Sequence, residues 1–157
     1  MKLLIEYLEN YDKSWGELGY KHADDSGFDL RAAIKEPMVL KPGEYRLIDN
    51  GIKIEFEGPF PLGDDFTYEI QVRPRSGLAA KFGICVTNTP GTVDFGYRGE
   101  LKTNLVNLGK EDFVINPGDR IAQAVVCPVI KAHIVAVQAV QAETSRGAGG
   151  FGSSGVR

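Results

Sequence analysis

Turn chemistry divides this chain at intervals that leave little room for long helices. Lys41-Pro42-Gly43-Glu44, Gly58-Pro59, Asn88-Thr89-Pro90-Gly91 and Asn116-Pro117-Gly118-Asp119 each combine a proline of fixed φ with a glycine free to take positive φ. The runs between them are short. Ile52-Lys53-Ile54-Glu55-Phe56 alternates strictly, as a half-buried strand does. Lys2 to Leu8, Tyr68 to Val72, Leu101 to Asn107, Ala122 to Val126 and Ile134 to Val140 are further candidate strands. Many short strands at this spacing predict an all-β fold, a β-barrel or jelly roll. One stretch reads as helix, Ser76 to Lys81, about two turns long and stopped by Gly83. Glu57 to Phe66, with two prolines, reads as an exposed loop.

The 157 residues make one domain, long enough to bury a core, with no repeat and no linker. A net charge of −3 argues against a general nucleic-acid binder, so an anionic ligand must meet positive charge locally. The opening apolar run is too short for a signal peptide and no stretch approaches the length of a membrane span, so no membrane partner is expected. Cys85 and Cys127 lie far apart in apolar runs and read as two buried, reduced thiols of a cytoplasmic protein. His22 and His133 lack metal-ligand spacing.

Five segments carry chemistry. In Asp25-Ser26-Gly27-Phe28-Asp29-Leu30-Arg31-Ala32, a strand would turn Phe28 and Leu30 inward and Asp29 the other way, either as a solvated carboxylate or as a group holding magnesium directly or through water. In Arg73-Pro74-Arg75-Ser76-Gly77-Leu78-Ala79, an extended run enters a short helix whose free N–H groups favour phosphate; Ser76 would cap that end or bond a phosphate oxygen, and Arg75 adds a fork of donors. From Asn88 to Glu100 a rigid turn leads into a hairpin with Gly96 in its loop; exposed backbone there can pair with a base, Tyr97 can stack on a sugar, and Asp94 can act as general base. Asn116 to Gln123 places a type I or II turn before a strand that presents Arg120 and Gln123, within reach of phosphate if a ligand lies there. The last twelve residues, Arg146 to Arg157, include five glycines and cannot order alone. They read either as a Gly/Ser-rich tail or as an arm that orders over a nucleotide, with Arg146 for charge and Phe151 for a ring.

Taken together, Ser-Gly-Phe-Asp-Leu-Arg-Ala from Ser26, Pro-Arg-Ser-Gly-Leu-Ala from Pro74, Gly-Thr-Val-Asp-Phe-Gly-Tyr-Arg-Gly-Glu from Gly91, Pro-Gly-Asp-Arg-Ile-Ala-Gln from Pro117, and the arm from Arg146 closely resemble the five motifs of the trimeric dUTP diphosphatases, or dUTPases. The resemblance implies a jelly-roll-like β-barrel over residues 1–145 with an arm at 146–157 that closes over an active site. It implies a homotrimer with active sites shared between subunits. The reaction would be hydrolysis of dUTP to dUMP and pyrophosphate with Mg2+, which removes dUTP and supplies dUMP for thymidylate synthesis. Carried over by position, Asp94 would activate water, and Tyr97 would stack on deoxyribose and exclude a 2′-hydroxyl. Asn88, Gly91, Thr92, Val93 and the Asp94 backbone would read uracil. Arg75, Ser76, Gly77, Arg120 and Gln123 would hold phosphates, and Lys102 would contact substrate. Asp29 would support the magnesium hydration shell. Phe151 would cover the base, with Arg146, Gly152 and Ser153 on the phosphates.

The loop from Gly58 to Phe66 is longer than this pattern leads one to expect, and Trp15 matches no motif and receives no role. The same resemblance speaks against the related dCTP deaminases, whose catalytic glutamate falls at Asn104 here: an amide cannot transfer that proton. A non-catalytic binding module on the same fold would be expected to lack Asp94 or the arm, and both are present.

Overall fold

The computed structural model describes residues 1–58, 65–140, 144–150 and 155. Eleven strands run among these residues: β1 Lys2–Tyr7, β2 Phe28–Arg31, β3 Met38–Leu40, β4 Tyr45–Asp49, β5 Ile52–Glu57, β6 Phe66–Pro74, β7 Ile84–Val86, β8 Gly91–Asp94, β9 Lys102–Asn107, β10 Phe113–Ile115 and β11 Arg120–Ile130. A 3-10 turn, Lys13–Trp15, and one helix, α1 Ser76–Phe82, complete the set. The strands form four antiparallel groups: β2-β11-β6-β8, β4-β9-β7, β1-β5 and β3-β10. They enclose a single apolar core in jelly-roll fashion.

Alternation explains which faces point inward. Phe28 and Leu30 are buried while Asp29 and Arg31 stand half-exposed on the outer face of β2. Ile52, Ile54 and Phe56 of β5, and Tyr68, Ile70 and Val72 of β6, do the same. Each such side chain contributes roughly 1.5–3 kcal/mol of burial. Among the described residues three polar side chains are buried as well, and each is hydrogen-bonded. Thr103 donates to Asn50 Oδ1 at 3.0 Å, Asn50 Nδ2 donates to the Arg31 carbonyl at 2.8 Å, and Asn107 Nδ2 donates to the Leu40 and Glu111 carbonyls, both at 2.8 Å. These bonds tie loops to β9 in the middle of its sheet. The helix ends where expected: Gly83, at φ +70°, returns its N–H to Ala79 and Leu78.

The structure corrects four expectations. Ile134 to Val140 is not a strand; it runs exposed, with Ile134 at 92% and Val140 at 80% accessibility, and joins none of the sheets among the described residues, because alternation alone does not make a ladder. The segment around Gly96 is not a hairpin. β8 pairs with β6 and β9 pairs with β4 and β7, so the turn carries the chain from one sheet to another. The two cysteines are free but half-exposed rather than buried. Finally, the expected loop from Glu57 to Phe66 is shorter, since both terminal residues belong to strands; its residues 59–64 lie outside the described ones. Among the described residues no helix is long and apolar enough to cross a membrane.

Candidate active site

Two groups of the expected residues assemble on the described chain. The first gathers around Asp29 on the outer face of β2. The strand pairing sets Gln123 opposite Asp29 and Arg120 opposite Arg31. Arg75, at the end of β6, reaches across: its Nε lies 2.8 Å from Asp29 Oδ1, and its Nη1 donates to the Arg120 carbonyl at 3.0 Å. Arg120 Nη1 stands 3.4 Å from Asp29 Oδ2. Gln123 Nε2 donates to the Pro74 carbonyl at 2.9 Å. One carboxylate thus organises two guanidinium groups, and both remain partly exposed with donors to spare. Ser76 does not cap α1. Arg75 holds the N-cap position without capping the helix by its side chain, so the Ser76 hydroxyl and the Gly77 backbone stay open to a ligand.

The second group lies where the two sheets part after β8. Here the outer edge of β8 faces the start of β9 without pairing to it. Asn88, Gly91, Thr92, Val93, Lys102 and Asn104 line a cleft of about 210 Å³. A second hollow of about 210 Å³ shares Thr92, Val93 and Lys102 with it and extends to Asp94 and Tyr97. Larger hollows open beside Phe82 and on the β1-β5 face, but the expected residues do not converge there. Among the described residues nothing hydrogen-bonds the exposed Asp94 carboxylate, which leaves it available as a base. Tyr97 folds back over Gly99, where any side chain would collide with its ring, and its hydroxyl donates to the Glu100 carbonyl at 2.9 Å. Lys102 Nζ sits 2.6 Å from Asp49 Oδ1; that hydrogen bond and the charge of Asp49 hold its ammonium above the ordinary range. Asn104 Oδ1 is buried at the cleft wall without a partner among the described residues.

Within one chain Asp94 and Arg75 stand apart. Asp94 pairs with Glu69 and Gly91 with Val72, so Asp94 lies at the end of β8 far from Pro74. Six residues of extended chain from Glu69 to Arg75 span about 20 Å at the usual strand rise.

A family model described as dUTPase matches residues 14–155 of the chain. The chain belongs to the dUTPase family. Deoxyuridine 5'-triphosphate nucleotidohydrolase of Chlamydia pneumoniae is 52% identical over 143 residues, 90% of this chain and 93% of the relative. That of Bdellovibrio bacteriovorus is 49% identical over 152 residues, covering 96% and 94%. Among solved structures, the Staphylococcus bacteriophage 80alpha dUTPase with dUPNHPP is similar with a TM-score of 0.76 and 26% identity, over 99% of both chains.

Some residues that shape this candidate site were given no role by the sequence, even where they fall within a motif. Glu100 is one: its Oε1 accepts from Asn10 Nδ2 at 2.8 Å and from the Gly51 N–H at 2.9 Å, while its carbonyl holds Tyr97. Asp49, which tethers Lys102, is another. Glu100 is held by Asn10 and Gly51, and Asp49 reaches Lys102, all partners distant in sequence, so only a three-dimensional pairing could reveal them. In the arm, Arg146 sits in an exposed turn, with its Nε bonded to the Gly149 carbonyl at 2.9 Å. Phe151, Gly152 and Ser153 lie outside the described residues.

Proposed function

We propose that this chain hydrolyses dUTP to dUMP and pyrophosphate by in-line attack of water on the α-phosphorus, which removes dUTP and supplies dUMP for thymidylate synthesis. The observation that carries the reading is the cleft at the parting of β8 and β9, with an unpaired strand edge on one side and Asp94 and Tyr97 at its mouth. Uracil fits between the sheets, and the backbone from Gly91 to Asp94 and the Asn88 side chain present the hydrogen-bonding groups that would read its edge. A 5-methyl group meets the strand wall. The Tyr97 ring, tethered through Glu100, stacks on the sugar and leaves no room for a 2′-hydroxyl. Asp94 takes a proton from the attacking water, and no covalent intermediate is required.

The triphosphate lies against Arg75, Ser76, Gly77, Arg120 and Gln123, with Lys102 as a further contact. Mg2+ usually keeps several waters and binds through one or two carboxylates plus substrate phosphates. No three His, Cys, Asp or Glu side chains converge among the described residues, and Asp29 already faces two arginines. That donor set fits an ion carried on the phosphates and touching Asp29 through water. When bound it would neutralise charge on the phosphates.

The separation of about 20 Å between Asp94 and Arg75 supports a homotrimer in which one copy supplies the cleft and another the arginines. The exposed alternation from Ile134 to Val140, unpaired among the described residues, supports the same assembly, since it can add to a strand edge of another copy. The glycine-rich arm from Arg146, with Phe151, Gly152 and Ser153, closes over the base and phosphates. Two free thiols support a reducing compartment, the cytoplasm. The test is pyrophosphate release with Mg2+ from dUTP, dCTP, dTTP and UTP. Release from dUTP alone is expected; ammonia from dCTP or equal rates on dTTP would overturn the reading.

A further inference from the structure

Trp15 is the single tryptophan of the chain and belongs to no motif. It closes the Lys13–Trp15 turn, half-buried. Tyr11 packs edge-on against it at 5.2 Å and donates through its hydroxyl to the carbonyl of the next residue, Gly16, at 2.6 Å. On its other side the indole presses against Gly118. A Cβ at Gly118 would stand 2.6 Å from Trp15 Nε1 and 2.7 Å from Cε2. Gly118 is therefore required twice, by its φ of +81° and by the indole on top of it.

Gly118 is the third residue of the Asn116–Asp119 turn, closed by the Asp119 N–H on the Asn116 carbonyl at 3.1 Å. Positive φ at that position makes it type II. The turn is held at its side as well. Arg31 Nη1 donates to the Gly118 carbonyl at 2.9 Å, the Gly118 N–H donates to the Ala32 carbonyl at 2.9 Å, and the Ala32 N–H donates to the Asp119 carbonyl at 2.8 Å. Arg120 comes next. The pairing of β11 with β2 shifts register between Arg120 and Ala122, so the regular ladder does not fix the direction of Arg120. The turn before it does. The Arg120 carbonyl in turn receives Arg75 Nη1, which couples the second guanidinium to the same backbone.

We propose that Trp15 and Arg31 clamp the Asn116–Asp119 turn and thereby aim Arg120, and through its carbonyl Arg75, at the triphosphate. Trp15 is a positioning residue: it touches no substrate and acts through the turn. The inference rests on the reading of Arg75 and Arg120 as phosphate ligands.

The test uses the full-length Trp15→Leu and Trp15→Phe variants, with Arg120→Ala as reference. Two ligands are titrated: a non-hydrolysable dUTP analogue, and deoxyuridine, which has base and sugar but no phosphate. Trp15→Leu should weaken the triphosphate analogue about tenfold, a partial loss of charge-assisted hydrogen bonds, with deoxyuridine unchanged. Trp15→Phe, which keeps a flat ring on Gly118, should recover most of the loss. On the Arg120→Ala background Trp15→Leu should cost little more, because both act in one unit. An unchanged analogue affinity, equal weakening of both ligands, or full additivity with Arg120→Ala would overturn the clamp. If Arg120→Ala itself leaves the analogue unaffected, the phosphate assignment of Arg120 falls and the clamp with it. Should Trp15→Leu fail to fold, Arg31→Lys, which keeps the charge but loses the guanidinium Nη1 that donates to the Gly118 carbonyl, is read by the same two titrations.

Discussion

Mixing two inactive variants tests whether the active site is divided between chains. Asp94 lies opposite Glu69, six strand residues from Arg75, about 20 Å away by strand rise. Asp94→Asn removes the base from the cleft and Arg75→Ala removes an arginine from the phosphate cluster. In a closed threefold ring, each site takes Asp94 from one chain and Arg75 from its neighbour. In a one-to-one random mixture, a site is intact only when the first chain carries the Arg75 change and the neighbour the Asp94 change. Half of one and half of the other gives about a quarter of the sites. Loss of the base alone lowers turnover by about 10²–10⁴-fold, so a quarter of wild-type activity stands far above the Asp94→Asn background. The two variants are unfolded and refolded together, mixed trimers are verified by native mass spectrometry, and pyrophosphate release is measured per trimer. If verified mixed trimers remain as inactive as their parents, Asp94 and Arg75 do not serve one site from different chains, and the division inferred from the strand register is wrong.

Asp94→Asn alone should lower kcat by about 10²–10⁴-fold with KM nearly unchanged; a variant with near-normal pyrophosphate release removes Asp94 from the chemistry. The preference for dUTP over dTTP and UTP should exceed the ~10–200-fold that one apolar group can supply, because the walls are strand backbone and a tethered ring; a kcat/KM ratio within that range points to a loose pocket. Asn107→Ala strips partners from the Leu40 and Glu111 carbonyls and the Gly109 N–H in a buried setting, so urea unfolding should report a loss of about 3 kcal/mol. A loss well below 1 kcal/mol would mean that water replaces the amide freely.

Strands were legible where alternation spans enough residues to show its period, as in Ile52–Glu57, and where one face meets the core. Met38–Leu40, Ile84–Val86 and Phe113–Ile115 are three residues each, too short for a period to register. Ile134 to Val140 shows the opposite failure, a good pattern that joins no sheet among the described residues. The hairpin expectation at Gly96 failed because proximity in sequence favours local pairing, whereas β8 and β9 take partners from β6, β4 and β7. In the site, residue types were legible from the motifs: Asp29, Arg75 and Arg120, far apart in sequence, do converge. What was not legible is who holds whom. The tether of Lys102 by Asp49, the hold of Asn10 and Gly51 on Glu100, and the indole on Gly118 are all contacts between segments that no local pattern connects.

The cleft owes its width to the parting of two sheets, since the strands on either side of it answer to different neighbours. Its walls are backed by Ile70 and Val72 on one side and Leu105 on the other, all of them core residues. Discrimination against the 5-methyl group, if the cleft reads uracil as proposed, therefore rests on strands anchored in the core. On heating, such a catalyst should lose active molecules without becoming less choosy. The surviving fraction should reject thymine as strictly just below the melting temperature as it does in the cold, so fidelity and foldedness fail at the same moment.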